Sequence, residues 1–329
     1  MIKKTLVGLM TVLLAVILAA GCGGGSGGSS GSGSKGEPTA KPKFPPRETT
    51  STRPVETFKI GNREGKVYAL ANFESKSYAR GSKIVVMGKS IYYHGKTPGT
   101  GKTQLVKVDY DKETLSPPVA VGESYDRGLH ILATNGKVVA YETGKGNRGF
   151  YDGKKAVEGK KFQEGAMAGG EKGGPFYMVH GVAAILTGTF SGGDFTQQKE
   201  IIKDYRRAPL RLQGAVVPVF ADEKGFYLAV DEKKSGAHEG EPTLIYLDRG
   251  GKEIRRFEGS EDQPRGWVVT ANYVIQAGSL GTFRVFDRET GTLVADLKLN
   301  MRPFTMALAK GNDVFVYDDR AKKLYRIDF

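Results

Sequence analysis

From about residue 55 to Phe329, apolar positions come in short runs rich in β-branched and aromatic residues, and Gly, Asn, Asp or Lys breaks each run. Alternating or fully apolar runs of this length, bounded by Asn-Gly and Asp-Gly pairs, predict β-strands joined as hairpins. One module accounts for most of them: an arginine lead-in, an apolar strand, a Gly/Asn turn, a second strand, a third ending in an Asp-rich turn, and a fourth. The first copy opens at Arg80-Gly81, with strands over 83–87, 91–94, 105–110 and 119–121. A second opens at Arg127-Gly128 and turns at Asn135-Gly136 and Asp152-Gly153. A later copy has strands from 216, over 226–230 and over 244–247, with turns at 223–225 and 248–251. The next opens at Arg265-Gly266-Trp267, turns at Ala271-Asn272 and ends its third strand in Asp287-Arg288-Glu289-Thr290-Gly291. The last opens at Arg302-Pro303, turns at Lys310-Gly311 and Asp318-Asp319, and finishes over 323–329. Residues 166–212 form the most degenerate copy, with strands over 176–179 and 182–186 and a short helical insertion over 195–207.

Four short strands recurring every 40–50 residues or so define propeller blades. The expected fold is therefore all-β: a β-propeller of six four-stranded blades, with a pair of β-sandwiches as the alternative architecture. The last copy holds only three strands before Phe329. Residues 56–60 are the expected fourth, with 66–73 competing for that place. Sharing one blade between distant segments removes two exposed sheet edges and sends the preceding chain out at the outer rim.

Ahead of this domain the pattern differs. Met1-Ile2-Lys3-Lys4 is basic, and residues 6–20 are apolar apart from Gly8 and Thr11. Small residues follow, as in a secretory signal. At about 15 residues the apolar run is short of the roughly 20 that a retained membrane helix requires. Leu18-Ala19-Ala20-Gly21-Cys22 resembles the lipobox of bacterial lipoproteins, and Cys22 is the chain's single cysteine. That resemblance implies cleavage after residue 21 and acylation of Cys22, which stably anchors a chain when two or more acyl groups are attached. The expected organisation is a signal peptide over 1–21, a tether over 22–54 and the propeller over 55–329. Residues 23–34 are only Gly and Ser, and 35–54 add prolines and basic residues, so the tether reaches about 30 Å as a coil. The expected location is the bacterial cell envelope, on the outer face of the cytoplasmic membrane or in the outer membrane.

Composition narrows the chemistry. A formal charge of +13 favours anionic neighbours such as headgroups, envelope polymers or acidic proteins. Export argues against a nucleic-acid partner. Residues 98–103 imitate a nucleotide-binding P-loop, but Lys96 stands where the pattern needs glycine and a strand follows instead of a helix. No nucleotide is therefore expected. The four histidines, His94, His130, His180 and His238, have no metal-ligand spacing, so neither a metal nor a cofactor is expected. Aspartates in the turns are read as capping their own backbone. Tyr92, Tyr141, Tyr227 and Tyr317, at matching places in second strands, are read as inter-blade core.

The turn at 287–291 resembles the Asp-x-x-Thr-Gly turns of quinoprotein-like bacterial propeller repeats, with a looser copy at 109–114. The resemblance implies the repeat fold. The family's quinone-dependent enzymes and its barrel-assembly lipoprotein use eight blades, for which this chain has no room.

One recurrence carries candidate chemistry: Arg80, Arg127, Arg265 and Arg302 each precede a first strand and are each followed by Gly or Pro. In a propeller they converge on one face as bidentate donors for carboxylate or phosphate. The structural alternative is that each clasps an Asp of the neighbouring blade. The expected function is a non-catalytic, membrane-anchored extracytoplasmic propeller that binds a protein partner or an anionic envelope polymer. The competing expectation is a propeller hydrolase, lyase or oxidoreductase with its site at the central channel.

Overall fold

The computed structural model describes residues 53–70, 84–96, 103–109, 114–115, 130–143, 147–161, 166–170, 172–181, 183–191, 194–231, 242–260, 264–318, 320–321 and 323–329. Along the chain, β1 (Glu56–Ile60) and β2 (Arg63–Ala69) form a hairpin. Then come β3 (Val85–Met87), β4 (Ser90–Lys96), β5 (Thr103–Asp109) and β6 (Thr114–Leu115), followed by β7 (His130–Thr134), β8 (Val139–Glu142), β9 (Asn147–Tyr151) and β10 (Ala156–Lys161). The degenerate copy supplies β11 (Met167–Ala168), β12 (Phe176–His180), β13 (Ala184–Ser191) and β14 (Asp194–Ile202). Two regular copies follow: β15 (Val216–Ala221), β16 (Gly225–Val230), β17 (Thr243–Asp248), β18 (Glu253–Glu258), then β19 (Pro264–Val269), β20 (Tyr273–Gly278), β21 (Thr282–Asp287), β22 (Leu293–Lys298). The last strands are β23 (Pro303–Lys310), β24 (Asp313–Asp318) and β25 (Lys323–Asp328).

Consecutive strands pair antiparallel, giving five four-stranded sheets and one five-stranded sheet ordered β1-β2-β25-β24-β23. The first strands of successive sheets, β3, β7, β11, β15, β19 and β23, contact one another in turn, and β23 returns to β3. This radial closure is a β-propeller and excludes the two-layer sandwich.

Of the expected four-stranded blades, five have that form; the closing sheet differs because both strands of the N-terminal hairpin join it. The fourth place beside β25 belongs to β2, with Val67 opposite Ile327, and β1 lies outside it as a fifth strand. Residues 56–60 are therefore not the closing strand; the competing segment is. Val67 is fully buried within β2, whereas β1 alternates half-buried and exposed residues up to Ile60, as an outermost strand does. Two further expectations change. Residues 195–207 are not helical: 194–202 form β14, whose pairing with β13 absorbs register shifts at Ile185/Leu186 and Thr187/Gly188. In the first copy the fourth strand is 114–115, and 119–121 lies outside the described residues.

The second strands of the regular copies are covered by sheets on both faces: all six residues of β16 are buried, and five of six in β20 and in β24. Tyr92, Tyr141, Tyr227 and Tyr317 are buried in β4, β8, β16 and β24, as their shared position required. Burial pushes the Tyr92 and Tyr141 phenols up to about 12, so both remain neutral donors at any physiological pH. Hairpin aspartates accept backbone N–H groups. Asp152 takes those of Lys154 and Lys155, Asp248 those of Gly250 and Lys252, and Asp318 those of Arg320 and Ala321. In the 287–291 turn, Asp287 Oδ1 accepts both the N–H and the hydroxyl of Thr290, and Gly291 takes φ +78, a conformation costly for any residue with a Cβ.

The closing sheet carries a carboxylate pair. Asp313 lies opposite Asp328 across β24 and β25; Arg63 of β2 donates to Asp328 at 2.9 Å, and Arg326 Nε is 4.0 Å from Asp313. Burial raises the Asp313 carboxyl above its ordinary value; Arg326 opposes this and Asp328 reinforces it. A carboxyl that is harder to ionise when folded lowers stability above its folded pKa, and the loss disappears as pH falls through that value. Asp313→Asn is therefore expected to melt higher than the parent at pH 7 and to lose the advantage below the ordinary value of 3.8. Thermal melts across that range check this, and a lower melting temperature at pH 7 contradicts it.

Candidate functional site

A propeller presents two faces. On the entry face lie the crossovers into each first strand and the hairpins between second and third strands. On the opposite, turn face lie the hairpins joining first to second and third to fourth strands.

Arg265 is the second residue of β19 and Arg302 immediately precedes β23, so both stand at the entry-face start of a first strand. Both are exposed, and neither side chain forms an ion pair or hydrogen bond with another described residue. Arg302 is held by its backbone, whose N–H donates to buried Asp318 at 2.9 Å. Cys22, Arg80 and Arg127 lie outside the described residues.

The crossover from β14 to β15 adds basic groups that sequence reasoning missed. Tyr205 is buried and donates its N–H to the Ala183 carbonyl, while buried Leu212 donates back to the Tyr205 carbonyl. Between these two anchors Arg206, Arg207 and Arg211 are exposed, with Arg211 at φ +53. Asp204 takes a two-pronged contact from Arg206, at 2.9 and 3.1 Å, and lies 3.2 Å from Arg207. The Arg206 hydrogen bond holds the Asp204 carboxyl at about 2. One carboxylate thus faces two guanidiniums, Arg206 and Arg207. Arg320, in the hairpin between β24 and β25, is also exposed on this face. The available signal was position: 206–211 precedes β15 just as Arg265 and Arg302 accompany the starts of their strands. A helical reading of 195–207 concealed it.

Among the described residues a blade-to-blade Arg–Asp clasp is made not by Arg265 or Arg302 but by a different arginine. Arg288, in the Asp-x-x-Thr-Gly turn on the turn face, crosses to the preceding sheet and pairs with Asp222. Its Nε donates to Tyr227 Oη at 3.0 Å and its Nη1 to the Thr270 carbonyl at 2.7 Å, while its guanidinium lies 5.6 Å from the Tyr227 ring centre. Tyr246 donates to Asp222 at 3.1 Å and stacks on Tyr227 with centroids 4.2 Å apart. Burial works against the Arg288 charge, and Tyr227 and Asp222 outweigh it, holding the guanidinium above its usual value. Burial, reinforced by the Asp222 charge, raises the Tyr246 phenol. These groups satisfy one another across a packed seam, which makes the cluster structural. Among the described residues there is no His/Cys/Asp/Glu group arranged to hold a metal ion.

The class of protein defined by this ring and its basic faces is a β-propeller. No protein-family model matches the chain, and no curated protein matches it. Among solved structures, a chain of the mitotic checkpoint complex matches over 88% of this chain and 99% of its own length, with a TM-score of 0.50 at 9% identity. The WD40 β-propeller domain of Doa1 covers 85% of this chain and 94% of its own, with a TM-score of 0.49 at 12% identity. Likeness at these identities concerns the fold.

Proposed function

We propose that this chain is a non-catalytic binding propeller, tethered to a bacterial envelope membrane through acylated Cys22, that engages an acidic protein partner or anionic envelope polymer through its entry face. The observation carrying the reading is the exposed arginine set Arg206, Arg207, Arg211, Arg265, Arg302 and Arg320, at the crossovers and hairpins of one face. Guanidinium forks match carboxylates in two-pronged geometry and retain their charge at every relevant pH. The five-stranded sheet completes the ring as its last blade, with Val55 and the start of β1 on the entry side.

Two measurements test the reading. The full chain carrying Arg207→Ala, Arg211→Ala, Arg265→Ala and Arg302→Ala is expected to elute from immobilised polyglutamate at markedly lower salt than the parent, with an unchanged melting temperature. Elution at the same salt sinks the entry-face reading. For the anchor, Cys22→Ser is expected to abolish incorporation of labelled palmitate and to release the protein from the membrane fraction; continued incorporation refutes acylation at that position.

A further inference from the structure

The turn face carries a repeat that the sequence rhythm half conceals. The hairpins between first and second strands stand nearest the axis on this face, and five of the six place a lysine beside a glycine. These are Gly88-Lys89, Gly136-Lys137, Lys172-Gly173, Lys224-Gly225 and Lys310-Gly311; the sixth hairpin has Ala271-Asn272. All five lysines are exposed. Gly88, Gly136, Gly173 and Gly311 take positive φ, so a glycine is required by most of these turns. No such requirement places lysine beside it. A hairpin tip is equally well solvated by Ser, Asn, Asp or Glu, so cation recurrence at one radial position concentrates positive potential around the axis.

The hairpins are also held in a fixed relation. Gly173 donates its N–H to the Asn135 carbonyl at 2.6 Å, and Asn135 Nδ2 donates to the Gly174 carbonyl at 2.7 Å. A Cβ on Gly173 would stand 2.4 Å from Lys137 Cδ, so the aliphatic stem of Lys137 lies across the next sheet's turn. Lys172 pairs with Glu223, the exposed carboxylate of the following hairpin. Farther round, Ala271 donates to the Gly311 carbonyl at 2.9 Å, and Asn272 donates to Asn312 Oδ1 at 3.0 Å. Third-to-fourth-strand hairpins add exposed Lys154, Lys155, Arg249 and Lys252, while the aspartates Asp152 and Asp248 beside them are engaged by turn N–H groups.

We infer that this lysine-bearing mouth is a second binding surface, and that it takes a flexible linear polymer of closely spaced phosphates. Ammonium groups on long stems act as point charges without fixed geometry, which suits a chain read by charge density. A folded protein partner fits less well, because interfaces of that kind depend on buried aromatic or aliphatic anchors. The exposed large apolar residues among those described are Val55, Ile254, Leu280, Leu293 and Val294; none belongs to a first-to-second-strand hairpin and none is aromatic. Among the described residues this surface exposes no aromatic side chain on which bases would stack. It lies opposite the entry-face arginines and stands independently of the function proposed for them.

The test measures binding of the full chain to long-chain inorganic polyphosphate at several salt concentrations, beside oligothymidylate of similar length. The parent is expected to bind polyphosphate more tightly, with a steep salt dependence. A variant with Lys89, Lys137, Lys224 and Lys310 replaced by Gln, melting like the parent, is expected to lose about 30-fold or more at low salt. Its salt slope should fall by roughly three, at ~0.7 per cation lost. Glu223→Gln, which removes the carboxylate facing Lys172, should move affinity the other way. The four-arginine variant described above should bind polyphosphate within about twofold of the parent, which separates failure at one face from failure at the other. Unchanged affinity and slope in the four-lysine variant, absence of parent binding at low salt, or tighter binding of oligothymidylate than of polyphosphate would each overturn the inference.

Discussion

Replacing Arg288 with Met is expected to lower stability by about 2–4 kcal/mol, toward the range for breaking a buried ion pair and reduced because both partners are about a fifth exposed. Methionine keeps much of the stem's contact with Phe220 and Tyr227 but donates nothing. Asp222 Oδ2 and the Tyr227 hydroxyl lose the partner that crosses from the next sheet, and the Thr270 carbonyl loses one within its own sheet. For a domain of this size the loss corresponds to a fall in melting temperature of about 5–12 °C. Asp222→Asn in the Arg288→Met background should recover part of it. The remaining charge is then gone, while the Asn side-chain oxygen continues to cap Lys224 and Gly225 as Asp222 does. A double-mutant cycle from chemical denaturation reads the coupling directly, expected at about 1–3 kcal/mol for groups in one network. Additive losses would show that the seam is held by packing alone and that Arg288 is incidental to it.

Deleting residues 1–69 is expected to abolish cooperative folding, whereas deleting residues 1–52 leaves the melting temperature within a degree or two of the parent. The longer deletion removes β1 and β2, and so uncovers the backbone edge of β25 along 325–328. It also removes buried Ile60 and Val67, the Phe58–Phe329 ring contact at 5.5 Å, and the Arg63–Asp328 ion pair. Glu56, which accepts the Asn300 N–H from the crossover before β23, is lost as well. Burial of Ile60 and Val67 alone contributes about 1.5–3 kcal/mol each. Added to an unpaired sheet edge, this approaches the 5–15 kcal/mol or so that keeps a whole domain folded. Urea titration followed by near-ultraviolet dichroism and by tryptophan fluorescence of Trp267 distinguishes the outcomes. A single sharp transition in the longer deletion would show that the ring closes without its N-terminal hairpin.

Much of the fold is legible in the sequence because its devices are local. A hairpin needs glycine at positive φ and an aspartate to occupy turn N–H groups, and Gly136, Gly291, Asp152 and Asp248 advertise both within a few residues. Buried tyrosines at matching places in second strands mark the module because every inner sheet is covered on both faces. The helix expected over 195–207 shows the limit of this reasoning. Ile201, Ile202 and Tyr205 share a face under helical spacing, yet Ile201 and Ile202 end a strand and Tyr205 anchors the crossover after it. Their environment is set by β13 and by the strands of the following sheet, none of which lies within that window.

What the sequence by itself determined is the repeat: its four-strand rhythm, the turn chemistry and the buried tyrosine positions. These follow from backbone dihedral preference and from period-two burial, which act over neighbouring residues. Only the tertiary structure decided which segment fills the fourth place beside β25, since 56–60 and 63–69 are equally strand-like and differ in whether Val67 or its counterpart meets Ile327. It alone decided that Arg288, and neither Arg265 nor Arg302, makes the clasp to Asp222, because a guanidinium's partner depends on the seam it reaches across. Lysines separated by dozens of residues become neighbours around one mouth for the same reason: closing a ring converts distance along the chain into angle around an axis.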